Sequence, residues 1–242
     1  MNILYKIAFP ILKFGFKTVC HIEAHGADKL PMRGPLILFA NHTGQIEAPV
    51  LVTLLEGRPI SGWAKAEAWE NPFLRWLFNN WGVIPVRRGE ADTNALRVAI
   101  QKLNEGVIFG IAPEGTRSKT GQLLRGQPGA VMLALHSGAP LQPVAHWGGE
   151  KFKTNIRRLR RTYMSVRVGR RFRLDANGAK MTREVRQQMV DEMMYELAAL
   201  LPAEYRGEYS DLSKATTRYL NFGAGAGATE VAATIAKSAF AD

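Results

Sequence analysis

Residues 34–49, GPLILFANHTGQIEAP, give the clearest indication of the fold. The apolar run at 35–40 follows Gly34 and gives way to Asn41-His42, which is typical of a short buried strand that ends in a polar turn. Residues 48–56 then predict a helix, which the sequence Gly-Arg-Pro ends. In α/β sheets such turns expose reactive groups. The stretch therefore predicts a strand, a turn that carries His42, and a helix.

The rest of the chain alternates short apolar runs with longer segments of helical periodicity. Further strands are predicted at 19–24, 60–64, 82–86, 107–112, 141–145 and 163–168, and helices at 72–80, 92–104, 128–136 and 181–200. This alternation predicts one α/β domain at 20–221, with a central, mostly parallel or mixed sheet flanked by helices. Residues 222–242 are rich in glycine and alanine and predict a flexible tail.

Composition limits the function classes. With 46% hydrophobic and 22% charged residues among 242, the chain is an ordinary globular protein. Its single cysteine, Cys20, excludes an intrachain disulfide. The formal net charge of +11 is unusual and implies a polyanionic partner, either an anionic membrane surface or a nucleic acid.

Residues 1–19 favour the membrane surface. They mix aromatic and aliphatic residues with Lys6, Lys13 and Lys17, which predicts an amphipathic helix in the membrane interface, kinked at Pro10. The apolar runs are too short to span a bilayer, and no cleavage site of a signal peptide follows them. The alternative is a helix packed on the protein's own core. We expect a peripheral protein on the cytoplasmic face of the cell membrane.

His42 and Glu47 form a candidate proton-transfer pair. Residues five apart lie about 140° from each other's face in an ideal helix, so the pair cannot touch if both are helical. Contact requires His42 in the turn and Glu47 in the first helical turn, where the helix dipole favours a carboxylate. Glu47 can then hold one imidazole nitrogen and leave the other as a general base. The alternative is a surface histidine beside an unrelated glutamate.

A second polar turn follows the apolar run at 107–112. Gly115 permits a tight turn whose main-chain N–H groups can face an anion, and Arg117 offers a fork of donors suited to phosphate oxygens. We expect Glu114 to orient Arg117 or another cation, or to bind a substrate hydroxyl. The alternative is a solvated loop after a strand.

Two more cations follow predicted strands, Lys65 after 60–64 and Arg88 after 82–86. Four strands thus end in His42, Lys65, Arg88 and the turn at 114–117. If these strands are parallel neighbours, their polar ends converge on one edge of the sheet.

Four motifs in order, NHTGQIEAP (41–49), GVIPVRR (82–88), APEGTRS (112–118) and APLQPVA (139–145), resemble those of the glycerolipid acyltransferases. The resemblance implies an enzyme that transfers an acyl chain from acyl-CoA or acyl-carrier protein to the free hydroxyl of a lysophospholipid. The acceptor first implied is 1-acylglycerol 3-phosphate, which gives phosphatidic acid. The resemblance further implies that the reaction passes through no acyl-enzyme, and because a thioester is already activated we expect that it needs no metal or other cofactor.

The resemblance also implies roles for residues at matching positions. His42 is the general base and Glu47 its orienting partner, while the acceptor's phosphate is bound by Lys65, Arg88, Glu114, Gly115, Thr116 and Arg117. Two departures leave the acceptor open. Glu47 stands where the family usually has aspartate, and Pro85 and Arg87 stand where it usually has an aromatic residue and an acid. Glycerol 3-phosphate and a lyso-aminolipid are therefore alternative acceptors.

Six aromatic residues lie between the first and third motifs. They are candidates for the wall of an acyl-chain groove, for a membrane-facing surface, or for the core: Trp63, Trp69, Phe73, Trp76, Phe78 and Trp81.

Residues 151–173, KFKTNIRRLRRTYMSVRVGRRFR, contain many cations and no acid. They fit contact with anionic lipid headgroups, a phosphate-tracking surface for nucleic acid, or a solvated face with an edge strand guarded by charge. The membrane interpretation is favoured and nucleic acid is the least favoured. Outside the enzymes, the alternative is a non-catalytic module that binds lipid or nucleic acid.

Overall fold

A seven-stranded mixed sheet is the centre of the structure, a computed structural model that describes residues 3–31, 34–44, 50, 54–55, 58–86 and 92–223. The strands lie in the order β1-β7-β6-β2-β5-β3-β4. Every neighbouring pair is parallel except β6 and β7, which are antiparallel. The strands are β1 (Cys20–His25), β2 (Leu36–Ala40), β3 (Ile60–Lys65), β4 (Ile84–Val86), β5 (Ile108–Ile111), β6 (Leu141–Trp147) and β7 (Thr162–Val168). A separate antiparallel ribbon pairs β8 (Arg173–Leu174) with β9 (Leu220–Asn221).

Helices connect or flank these strands, and capping side chains explain where several begin. They are α1 (Ile3–Val19), α2 (Pro72–Trp81), α3 (Thr93–Asn104), α4 (Gly129–Ser137), α5 (Phe152–Arg157) and α6 (Arg183–Ala198). The Asn71 side chain accepts hydrogen bonds from the first turn of α2, and the Asp92 carboxylate accepts one from Ala95 N at 2.8 Å in α3. Gly82 ends α2 in the left-handed conformation that favours glycine.

The core has two layers, one on each face of β2. Ile37 and Phe39 belong to the cluster that β2 shares with α3, α4 and α6. Leu36 and Leu38 belong to a second cluster, against which α1 packs Phe16 and Val19. Burial on both faces is what an uninterrupted apolar run specifies in a largely parallel sheet.

The predicted α/β domain with a mixed sheet is confirmed, and all seven predicted strands are present in it. The interpretation of 151–173 as containing an edge strand is wrong, because β7 lies between β1 and β6. The same segment also contains α5, which we did not predict. The predicted helix at 48–56 falls largely outside the described residues, as does the tail from 224 onward. The division of the chain at residues 19 and 221 stays a prediction.

The predicted N-terminal helix is present as α1, with Pro10 inside it. Phe16 and Val19 pack on the core, as the alternative interpretation expects, whereas Ile11 and Phe14 are 66% and 71% exposed. The membrane interpretation stays a prediction. Among the helices of the described ranges, none combines the length and the hydropathy needed to cross a bilayer.

The carboxyl group of Glu196, on α6, makes stability depend on pH. Burial raises the pKa of Glu196 from 4.5 to about 7, and the charge of Arg170 opposes part of the shift. The unfolded chain loses this proton near its ordinary pKa while the folded protein keeps it, so stability falls as pH rises from about 4.5 to about 7.

Glu196→Gln should therefore stabilise the protein at pH 8, by up to about 3 kcal/mol, and have little effect near pH 4.5. Urea unfolding at the two pH values measures the difference. The exposed Glu208→Gln is the control and should behave like the wild type at both. An equal effect of Glu196→Gln at both pH values would contradict the assigned burial.

Candidate active site

The carboxyl ends of four neighbouring parallel strands meet at one edge of the sheet. Their order is β2-β5-β3-β4, so His42 after β2, the turn at 114–117 after β5 and Lys65 at the end of β3 share this edge. The predicted convergence is confirmed for these residues. Lys65 lies two strands from β2, about 10 Å to the side at the usual strand spacing. Glu47 and Arg88 lie outside the described residues.

Glu114 joins the two central motifs. It is only 3% exposed, and its two oxygens accept hydrogen bonds from the main-chain N–H groups of His42, at 2.7 Å, and Leu124, at 2.9 Å. The His42 carbonyl in turn accepts from Ser118 N at 2.8 Å. Bonds from main-chain N–H groups to a buried carboxylate are stronger than neutral ones. Glu114 therefore holds the His42 main chain against the second turn, a role that residue types alone did not indicate.

Asn41 and His146 fix the other side of the histidine turn. The Asn41 side chain donates to the His146 carbonyl at 2.8 Å and accepts from His146 N at 3.0 Å. His146 Nε2 lies 2.7 Å from the Asn41 carbonyl, which can only accept, so this nitrogen carries the proton. Both residues are buried, at 3% and 1% exposure. The sequence analysis missed this pair, although a histidine within the apolar run of β6 was a signal.

The turn at 114–117 has a fixed base and an exposed tip. Gly115 has φ +67° and donates its N–H within the turn to Ala112 O, so Thr116 and Arg117 supply the groups that can meet a ligand. Gly115, Thr116 and Arg117 are all exposed. At the far end of the loop, Gln127 N donates to Pro113 O at 2.8 Å. The tip is thus exposed to solvent near His42, and a hydrogen bond joins the two ends of the loop that carries it.

Gly126 lets this loop pack on α6. A Cβ atom there would collide with Val190 and lie 2.8 Å from Met194 Cγ, while Gly126 N donates to Tyr209 Oη at 3.0 Å. Tyr209 in turn donates to Asp191 on α6 at 2.9 Å.

Gly126→Ala should accordingly lower the free energy of unfolding by about 1–3 kcal/mol through overpacking. The control is Gly129→Ala, three residues on at the start of α4, where an added Cβ meets nothing within 4 Å, so stability should change little. Urea unfolding measures both. Equal stabilities of the two variants would contradict the described packing.

The aromatic residues between the motifs divide between core and surface. The Trp63 ring packs edge-on to Phe109 at 5.2 Å between centroids and is partly buried against the core. Phe73 and Trp76 on α2 are 62% and 41% exposed, and their centroids lie 6.3 Å apart. For these two, the acyl-groove and membrane interpretations stay open as predictions.

The chemistry of the cluster differs from that of a metal centre. Within the described ranges, no three His, Cys, Asp or Glu side chains lie close enough together to hold a metal ion. The groups gathered at this edge are an imidazole, cationic side chains and a hydroxyl.

A family model described as Acyltransferase matches residues 21–147, a little more than half of the chain. The chain belongs to the acyltransferase family. The matched range contains His42, the turn at 114–117 and β2 to β6, so the family's sequence pattern covers the sheet edge described above. This protein is therefore an acyltransferase enzyme.

Individual relatives of this acyltransferase agree with the family assignment. The 1-acyl-sn-glycerol-3-phosphate acyltransferase of Bacillus subtilis is 27% identical over 60% of this chain and 72% of its own length. The lyso-ornithine lipid O-acyltransferase of Pseudomonas aeruginosa is 34% identical over 47% of this chain and 43% of its own. The chain thus spans most of the first relative and less than half of the second.

A solved structure confirms the fold. The crystal structure of the 1-acyl-sn-glycerophosphate acyltransferase of Thermotoga maritima matches with a TM-score of 0.59. The match covers 88% of this chain and 83% of that one at 23% sequence identity. This acyltransferase therefore has the fold of that enzyme.

Proposed function

We propose that this acyltransferase transfers an acyl chain from a thioester to the free hydroxyl of a lysophospholipid, with 1-acylglycerol 3-phosphate as acceptor and phosphatidic acid as product. The observation that carries the proposal is the double main-chain link between His42 and the second turn, through Glu114 at 2.7 Å and Ser118 at 2.8 Å. It holds a residue able to move a proton beside residues able to hold a phosphate. The names of the relatives support the same acceptor.

His42 acts as the general base. Its imidazole takes the proton of the acceptor hydroxyl as the oxygen attacks the thioester carbonyl. The tetrahedral intermediate then collapses, the carbon–sulfur bond breaks, and the thiol of the donor leaves with the proton from His42. Glu47 orients the imidazole. A thioester is already activated, so the demands on the protein are positioning and proton transfer, and no metal or other cofactor takes part.

The acceptor's phosphate lies against Arg117. The guanidinium fork offers paired donors to phosphate oxygens, and the Thr116 hydroxyl, Lys65 and Arg88 complete the site. Both Thr116 and Arg117 are exposed and lie at the tip of a turn that is fixed at its base. The acyl donor is acyl-CoA or acyl-carrier protein. The protein works at the cytoplasmic face of the cell membrane, bound through α1 to an anionic surface.

A lyso-aminolipid is the second candidate acceptor. Glu47 in place of the family's usual aspartate, and Pro85 with Arg87 in the second motif, are departures that leave the acceptor open. The identity of 34% with a lyso-ornithine lipid O-acyltransferase supports it as well.

Acceptor competition tests the proposal. Purified protein receives labelled acyl-CoA or acyl-carrier protein with lysophosphatidate, glycerol 3-phosphate or lyso-ornithine lipid. Lysophosphatidate should be acylated fastest. Arg117→Ala should raise its KM about tenfold or more, because a charge-assisted hydrogen bond is lost. The control, Arg125→Ala, changes an exposed arginine of the same loop. Faster turnover of lyso-ornithine lipid, with Arg117→Ala neutral, would select the second candidate.

A further inference from the structure

The turn after α5 exposes a leucine in an unfavourable setting. Leu159 is 97% exposed and has φ +52°, the left-handed conformation that favours glycine. Arg158 N and Arg160 N both donate to Asn155 O, and Leu159 N donates to Ile156 O, so the turn is a well-bonded helix end. Glycine would suit this position better in conformation and in solvent. A leucine at this position is favourable only if its side chain is transferred from water into an apolar environment.

Cations surround this leucine. Arg157, Arg158, Arg160 and Arg161 are all exposed, and residues 151–161 contain no acidic residue. Ile156, one helical turn back, is 43% exposed, and Tyr163 is 71% exposed. An apolar tip with a tyrosine and flexible cationic side chains around it matches the interface of an anionic bilayer, where the cations reach headgroups and the apolar tip enters the acyl region.

The strand order puts this turn at the edge that carries the candidate active site. β7 is antiparallel to β6, so its first residue, Thr162, lies at the same edge as the carboxyl ends of β6 and β2. Cys20, the first residue of β1, pairs with Thr162, which brings the end of α1 to that edge as well. Arg161 joins the two segments by donating to the carbonyl of Lys17 at 2.6 Å. β7 is two strands from β2, about 10 Å to the side.

We propose that residues 156–161 form a membrane-insertion loop, which places Leu159 in the acyl region of an anionic bilayer and its arginines among the headgroups. The loop is a second membrane contact besides α1. Both lie at the sheet edge that holds His42, and both are on the same side of β2. The site then faces the surface in which a lysophospholipid lies. This inference rests on the membrane location proposed above, but lipid binding can be measured without acyl transfer.

A bilayer fits these observations better than a nucleic acid. Nucleic-acid surfaces combine cations with aromatic rings that stack on bases. Among the large hydrophobic side chains of the described residues, the most exposed is the aliphatic Leu159, and Tyr163 packs against the His21 ring at 5.3 Å between centroids. Contact with phosphates does not remove an aliphatic side chain's apolar surface from water, whereas insertion among acyl chains does, and that transfer is favourable.

Vesicle sedimentation with the full chain tests the proposal. Leu159→Gly removes the side chain and suits the left-handed turn, so it should retain or raise the melting temperature. It should nevertheless reduce binding to phosphatidylcholine–phosphatidylglycerol vesicles by about fivefold or more, because a leucine side chain no longer leaves water. The double variant Arg158→Ala/Arg160→Ala should bind the vesicles more weakly, and its binding should change less with salt concentration. The control, Lys180→Ala/Arg183→Ala, removes two exposed cations elsewhere and should bind like the wild type.

Direct insertion can be followed at residue 159, because the chain's single cysteine, Cys20, is buried. A polarity-sensitive dye on the Leu159→Cys variant should shift to the blue with anionic vesicles and resist an aqueous quencher. Wild-type binding by Leu159→Gly, together with a dye that stays in water, would overturn the proposal. So would binding to single-stranded DNA with none to vesicles.

Activity separates this proposal from the proposed function. Leu159→Gly should retain turnover of a short-chain, water-soluble lysophosphatidate. If the wild type acylates no acceptor but the dye still inserts, the proposed function fails and the insertion loop stands.

Discussion

His42→Ala is expected to lower kcat for acyl transfer by about 10²- to 10⁴-fold, the usual contribution of a general base. The variant should fold normally, because His42 is tied to Glu114 and Ser118 through its main-chain N–H and carbonyl, which the substitution keeps. Product formation from labelled thioester, together with the melting temperature, measures both effects.

The matched control is His136→Ala. His136 is exposed on α4 and bonds only to main chain of its own helix in the contacts described, at Met132 O. This variant should retain wild-type kcat. Full turnover by His42→Ala would refute the general-base mechanism while leaving the fold intact.

The second large effect is expected at Glu114. Glu114→Ala leaves two main-chain N–H groups, those of His42 and Leu124, without their buried acceptor. The free energy of unfolding should fall by about 3 kcal/mol or more, since each lost charge-assisted bond costs about 1.5–3 kcal/mol. Because His42 then loses the bond to its main-chain N–H and keeps the one from Ser118 N, its imidazole should be positioned less well, and kcat should drop about 100-fold even where the protein remains folded. Glu114→Gln, which keeps one acceptor oxygen, should lie in between.

Urea unfolding and kcat, measured on the same preparations, test this role. The exposed Glu204→Ala serves as the control and should change neither quantity. If Glu114→Ala instead raised only the KM for lysophosphatidate at unchanged stability, the carboxylate would belong to substrate binding, as the sequence first suggested.

The sheet could be predicted because its signals are local. The apolar run of β2 follows Gly34 and ends in a polar turn. Its burial on both faces, with Leu36 on one side and Phe39 on the other, follows from its lack of alternation. The convergence of His42, Lys65 and the second turn followed once β2, β3 and β5 were taken as parallel neighbours.

The reversed strand could not be predicted. The direction of β7 is decided by pairing with β6 on one side and β1 on the other, as in Val144 with Val168 and Cys20 with Thr162. These contacts join distant parts of the chain and leave no mark on periodicity. The charges of 151–173 also hid α5, whose six residues are too few for a helical pattern to be detected.

In the candidate site, the polar residues at the strand ends could be predicted, but their hydrogen-bond partners could not. Glu114 bonds to a main-chain N–H 72 residues away, and Asn41 bonds to His146 across 105 residues. Every residue except proline has such an N–H, so nothing in the sequence singles out the donor. The roles of Glu47 and Arg88, outside the described residues, stay predictions.

The pairing of β1 with β7 also sets the order of events while the chain is being made. Cys20 leaves the ribosome well before its partner Thr162, by roughly 7 to 30 s at 5–20 residues per second. During this interval α1 is already synthesised, but β1, the strand that follows it, cannot yet pair with β7. The first helix is thus synthesised before β1 can pair with β7, so the membrane contact proposed for α1 can form while translation continues.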